Sequence, residues 1–176
     1  MLNNNDYISR GIEIYEIEPS EIIFDDSIRD YCKENKCGRY NKNFMCPPRI
    51  GTVEEYKEII KSYNKGYILL IKDIINKPNI NDHYNSQKKL HQIVLEVEEK
   101  LISNGYNKSL GFIAGECKLC SPCKLVEGYN ECIHPNKART SLEAVGVNVV
   151  ETMKTKGIEI IFGTKNITWV GVVLMK

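Results

Sequence analysis

The sequence predicts an α/β protein, a small mixed or parallel sheet flanked by helices, with cysteine-rich metal-binding loops beyond one edge of the sheet. Three observations predict it. GYILLIKDI (66–74) is an apolar run that does not alternate, as in a strand buried on both faces. A segment of helical period over 87–104 separates it from a second strand, KSLGFIAGE (108–116), which is the pattern of a crossover unit. The seven cysteines, finally, fall into two turn-rich stretches, 32–48 and 117–135.

Taken in order, Pro19-Ser20-Glu21 can open a helix running to about Lys33, with Ile22, Ile23, Ile28 and Tyr31 for its buried side. The first cysteine loop follows and closes at Pro47-Pro48 and Gly51. Thr52 and Glu55 form a capping box for a helix over 53–63, whose apolar face is Val53, Tyr56, Ile59, Ile60 and Tyr63. After the strand 66–74, NKPNINDHYNS reads as a polar loop. The helix 87–104 carries Leu90, Val94, Val97, Leu101 and Ile102, and Gly105 sits where a left-handed cap is common. The strand 108–116 delivers the chain straight into the second cysteine loop. Thr140 or Ser141 then caps a helix that Gly157 ends. IEIIF, a GTKN turn and a last strand, ITWVGVVLMK, complete the chain.

The chain has 176 residues, which suits a single domain, 1–176, large enough to bury a core without cross-links. A formal net charge of +1 and the lack of a long basic run give no reason to expect nucleic acid. The polar N-terminus is unlike a secretory signal, and the longest apolar stretches fall far short of the roughly 20 residues that span a bilayer. No membrane is expected, and a cytoplasmic location follows, where thiols stay reduced. An odd number of cysteines also disfavours a closed disulfide framework.

Cys117, Cys120 and Cys123 keep a strict three-residue beat, and Cys132 follows after eight residues. At this cysteine content such a beat arises by chance in roughly one such chain in a hundred. Two residues between cysteines let the backbone wrap so that the sulfurs face one centre. Three on that beat suit three corners of an iron–sulfur cube, and the longer loop can return Cys132 to the same cube. Zinc is the alternative, although structural zinc more often takes two separated C-x2-C pairs. His134 reads as a hydrogen-bonding or solvent-facing residue, with ligation as the other possibility. Cys32, Cys37 and Cys46 have spacings that match no common zinc signature, but their turn-rich context suits a wrapping loop. They could hold a second cluster with one non-cysteine or open position. Arg39, Lys42, Arg49, Lys118, Lys124, Lys137 and Arg139 flank the two sets, where cations would favour electron uptake by an anionic cluster. No dinucleotide fingerprint, P-loop or H-E-x-x-H is present, and Ser141 and Glu143 read as helix-start residues rather than a catalytic pair.

The pieces CKENKCGRYNKNFMCPP, GECKLCSPC, ECIHPNKARTSLEAVGVNVVET and WVGVVLM together resemble the predicted metal-binding proteins called domain of unknown function 2284. The resemblance runs from about Cys32 to the C-terminus, and departs from the family pattern at Leu142, where methionine is expected. It implies that both cysteine sets belong to one metal-binding pattern, in a family found in anaerobic bacteria and archaea. It also implies that Arg139, Ser141, Glu143 and Gly146 lie against the metal loop. It carries no reaction. The reading is therefore an iron–sulfur protein with one or two [4Fe–4S] clusters, acting in electron transfer or as a redox subunit for a redox protein partner. Cys117, Cys120, Cys123 and Cys132 would hold one cluster, and Cys32, Cys37 and Cys46 would supply a second metal site. The alternatives are a zinc-stabilised interaction module and a small enzyme with an open-coordinated cluster.

Overall fold

The computed structural model describes residues 2, 4–74, 80–160 and 166–176, with the backbone alone over 80–83. Four strands form one sheet, in the order β1 (Glu13–Ile17), β2 (Lys65–Ile74), β4 (Asn166–Met175), β3 (Ser109–Phe112). Every neighbouring pair is antiparallel, so the parallel pairing allowed for by the sequence is not made. The crossover itself is present: β2, helix α4 (Ile80–Ser103) and β3 follow one another, and both strands run antiparallel to β4, hence parallel to each other. β4 has inserted between them. It pairs with β2 along its whole length, from Lys65↔Met175 to Ile74↔Asn166. β4 is apolar on both faces, and the middle of a sheet is where such a strand leaves neither its side chains nor its backbone groups unpaired.

Burial on both faces explains why β2 lacks alternation although its neighbours are antiparallel. Tyr67, Leu69 and Ile71 pack with Leu90, Ile93, Val94, Val97 and Leu101 of α4. Ile68 and Leu70 point the other way, to Ile60, Val145, Val147 and Met153. Gly111 and Gly171 lie under α4. A Cβ on Gly111 would stand 2.4 Å from Val94 and 2.8 Å from Glu98, so glycine sets how closely the helix approaches the sheet.

Helix α3 (Val53–Lys61) forms with the expected Thr52–Glu55 capping box. Two other expected helices are each broken in two, by the same contact. The segment 19–33 becomes a 3-10 turn (Pro19–Glu21) and helix α2 (Asp26–Lys33), capped by Asp25. The segment 141–157 becomes a 3-10 turn (Glu143–Val145) and helix α5 (Val149–Thr155), capped by Asn148. Between the halves, Phe24 pairs with Val147, and Asn148 N–H donates to the Ile23 carbonyl at 2.8 Å. Gly146 makes the second break possible: its φ is +87°, and a Cβ there would lie 2.8 Å from both methyls of Val53.

Helix α4 starts earlier than its apolar period indicates, at Ile80 rather than Gln87. Tertiary contacts hold this polar first part, since Trp169 Nε1 donates to Ser86 Oγ at 3.0 Å and Lys118 lies over the Tyr84 ring at 3.7 Å. Helix α1 (Asn4–Ile8) and edge strand β1 were not expected, although Ile12 and Ile17, which bracket β1, are both buried. Residues 76–79 of the expected polar loop, and 161–165 at the end of IEIIF and in GTKN, lie outside the described residues. Among the described residues no helix is long and apolar enough to cross a membrane.

Candidate metal centre

The second cysteine loop begins where β3 leaves the sheet. Gln87 on α4 is buried, and its Nε2 donates to the carbonyls of Ala114 at 2.8 Å and Glu116 at 3.2 Å. This draws the exit of the strand against the helix. Gly115 lies between them with φ +62°, and a Cβ there would come within 2.5 Å of the Gln87 amide nitrogen. Beyond it Cys117, Cys120, Cys123 and Cys132 all line one small pocket, with Asn43 and His134 beside them. Its volume is about 10 Å³, the room of one water-sized sphere.

Backbone donors already face two of these sulfurs. The N–H groups of Leu119 and Arg139 bond the Cys117 sulfur, and His134 N–H donates to Cys132 Sγ at 3.4 Å. Burial pushes the Cys117 thiol up, and the neighbouring Cys132 and Cys123 add to that, while the two N–H bonds pull it down. N–H donors of this kind stabilise a thiolate and tune whatever metal it holds.

The first set lies on the end of α2 and on the loop that follows it. Cys32 sits in the last turn of α2, Cys37 in an exposed turn and Cys46 just before the double proline. Burial raises the Cys32 thiol, with Cys37 and Glu143 adding to it and Arg29 opposing. Cys46 is pushed up to about 12 by burial, with Cys37, Cys32, Glu116 and Cys117 contributing. The three cysteines are thus electrostatic neighbours, and Cys46 also senses Cys117 of the other set. Three side-chain contacts join the loops: Asn43 Nδ2 to the Cys117 carbonyl at 2.9 Å, Arg39 to Glu116 at 3.2 Å, and Thr140 Oγ1 to the Met45 carbonyl at 2.9 Å.

All seven cysteines are free thiols. Among the described residues, no three His, Cys, Asp or Glu side chains stand at the mutual distances that would hold a metal ion. The donor chemistry nevertheless fits a metal: four thiols share one pocket and N–H groups are aimed at their sulfurs. Cys117, Cys120 and Cys123 also line a second, wider cavity of about 360 Å³. A group larger than a single ion has space there, within reach of the same thiols.

Most flanking cations are engaged with carboxylates rather than left to the thiols. Lys118 and Arg39 both pair with Glu116, Lys124 with Glu127, and Arg139 with Glu98. Arg49 donates to Asn41 Oδ1, while Lys42 and Lys137 are exposed.

Residues 15–175 match the family described as predicted metal-binding protein (DUF2284). The chain belongs to this family. No match was found among curated proteins or among solved structures. The matched range contains every cysteine of the chain and both docked loops. Of Arg139, Ser141, Glu143 and Gly146, which the resemblance sets against the metal loop, Ser141 pairs with Ile113 and Gly146 lies against Val53, while the other two neighbour cysteines. Arg139 bonds the Cys117 sulfur through its N–H, and Glu143 acts on Cys32.

Sequence reasoning missed Asn43, Gln87, His91 and Glu98. The last three do leave a signal. They sit at helical spacing among Leu90, Val94 and Leu101, so a polar side chain on a buried helix face marks a fixed partner elsewhere. The partners are the Ala114 carbonyl for Gln87, the Lys137 carbonyl for His91, and Arg139 for Glu98.

Proposed function

We propose that this protein is an iron–sulfur protein in which Cys117, Cys120, Cys123 and Cys132 hold a [4Fe–4S] cluster and Cys32, Cys37 and Cys46 hold a second metal centre. The observation that carries the reading is the convergence of the four thiols on one pocket with N–H donors already facing Cys117 and Cys132. A bound cluster would supply reversible one-electron chemistry. The chain's own part is to deliver four thiolates, to set the potential through N–H···S bonds, and to shield the centre with Met45, Phe44 and Leu119. The contact between the loops, with Cys117 close enough to act on Cys46, supports electron passage between two centres. The protein then acts in electron transfer, or as the redox subunit of a protein partner, in a reducing cytoplasm where seven free thiols persist.

One observation favours a second reading. A pocket of about 10 Å³ suits a single ion better than a cube, as in a zinc-stabilised interaction module. The wider cavity behind Cys117, Cys120 and Cys123 favours the cluster and would also admit a polar substrate, as an enzyme with an open-coordinated cluster requires.

Metal and acid-labile sulfide per chain, on protein purified without oxygen, separate these readings. About four iron and four sulfide per chain support one cube, and about eight of each support two. Cys120→Ser then removes one cube. Stoichiometric zinc without sulfide overturns the redox reading. A cluster spectrum that shifts when a small polar substrate is added selects the enzyme.

A further inference from the structure

The first cysteine set offers three thiols, and a four-coordinate metal needs one more donor. Glu143 is the one carboxylate at hand whose geometry calls for a cation. It sits in the 3-10 turn Glu143–Val145, which packs directly against α2, the helix that carries Cys32 in its last turn. Burial pushes its carboxyl up, only partly opposed by its own N–H and the Ser141 side chain, and Oε2 is hidden from water with no hydrogen-bond partner. A buried carboxylate oxygen without a donor is costly unless the group stays protonated or a cation is supplied. Arg29, whose charge opposes the rise of Cys32, is engaged elsewhere, its nitrogens donating to the carbonyls of Gly51 and Ile50.

We propose that Glu143 is the fourth ligand of the metal centre formed by Cys32, Cys37 and Cys46, making it a closed site of three thiolates and one carboxylate. This rests on the reading that the first cysteine set binds a metal. The local fold supports the assignment. Leu142 and Val145 are buried on either side of Glu143, the turn packs against α2, and Oε2 is shut off from water although the residue as a whole is half-buried. Glu143 also helps to raise the Cys32 thiol, after burial and Cys37, so the two side chains are near one another. A closed site of this kind binds no substrate at the metal. The chemistry of an open coordination position, if the protein has one, then belongs to the second loop.

Cobalt(II) is the probe, because its thiolate charge-transfer and ligand-field bands report both ligand number and geometry. It is titrated without oxygen into the full chain carrying Cys120→Ser and Cys123→Ser, so that the first site is read alone. Glu143→Gln, isosteric and neutral, is expected to weaken cobalt binding by more than the ~10–100-fold that loss of an outer-shell partner causes. Glu143→Cys is expected to keep the metal and add thiolate charge-transfer intensity. If Cys46→Ser leaves cobalt binding unchanged, the underlying metal site is wrong and the ligand assignment falls with it. If Cys46→Ser abolishes binding while Glu143→Gln and Glu143→Cys alter neither affinity nor spectrum, the site stands and the Glu143 assignment is overturned. Glu143→Cys also covers the case in which Glu143→Gln fails to fold: a folded Cys variant with an unaltered cobalt spectrum overturns the proposal by itself.

Discussion

The buried Asn43 amide donates from Nδ2 to the carbonyl of Cys117 at 2.9 Å and accepts the Met45 N–H on Oδ1 at 2.9 Å. One side chain therefore shapes the first cysteine loop and fastens it to the start of the second, 74 residues away. Asn43→Ala leaves a half-buried carbonyl and a half-buried N–H without partners, at a cost of about 1–3 kcal/mol. In a chain of this length that lowers Tm by roughly 3–10 °C. Asn43→Asp keeps the acceptor for Met45 but sets a carboxylate against the Cys117 carbonyl, so it is expected to be the worse of the two. Thermal unfolding of the three proteins at pH 7 checks the order, and equal Tm values would remove Asn43 as the fastener.

Arg139 occupies two roles at once. Its N–H bonds the Cys117 sulfur, and its Nε bonds both oxygens of the buried Glu98 carboxylate at 2.9 and 3.1 Å. Glu98 Oε1 also accepts the Gly111 N–H at 2.8 Å. Arg139→Met strands a buried negative charge and is expected to cost about 3–5 kcal/mol. Glu98→Gln costs less, since Arg139 keeps its bonds to the Asn136 and Ala138 carbonyls and some access to water. Pairing Glu98→Leu with Arg139→Met should recover much of the loss, because no unpaired charge is left inside. Urea unfolding of the set decides it: a double variant no more stable than Arg139→Met alone contradicts the account.

His91 gives the fold an acid limit. Burial holds its ring below the ordinary histidine range, with Arg139 adding to the effect, and its Nε2 lies 2.8 Å from the Lys137 carbonyl. A carbonyl can only accept, so Nε2 carries the proton of a neutral ring. The folded state refuses a second proton that the unfolded chain takes up below about pH 6.5. Stability is therefore full above that pH. It falls as pH drops from about 6.5 toward the lowered folded value, by at most about 1.4 kcal/mol per pH unit, and then levels off. His91→Gln, which can still donate to Lys137, should flatten this segment of the profile. Denaturation midpoints between pH 8 and 5 measure it, and an identical slope in His91→Gln would assign the acid sensitivity to other groups.

Local patterns carried some elements a long way. Thr52 and Glu55 specify the start of α3 by themselves, because a capping box satisfies its donors within one turn. The unbroken apolar run of β2 identifies a strand covered on both sides, and the cysteine spacing of 117–132 anticipates the one pocket these side chains line, since both are short-range facts about the chain. The family pattern added the link between the two cysteine sets, which their spacing alone does not contain.

What only the tertiary structure decided are the relationships across long separations. β4 could be recognised as a strand, but its place between β2 and β3 depends on which long apolar strand best pairs it, and that choice turned an expected parallel pair into antiparallel ones. Phe24 and Val147 each lie in stretches with good helical periodicity. Their pairing overrides local preference because it completes backbone hydrogen bonds that neither helix could supply at that point. The unpartnered Oε2 of Glu143 is a fact of the same kind. A glutamate two residues after a serine looks like a helix start in one dimension, and only tertiary packing brings its turn against α2, the helix that carries Cys32. Sequence by itself determined the parts and the metal-loving side chains. Packing decided which of them meet, because burial and hydrogen bonding reward contacts without regard to separation along the chain.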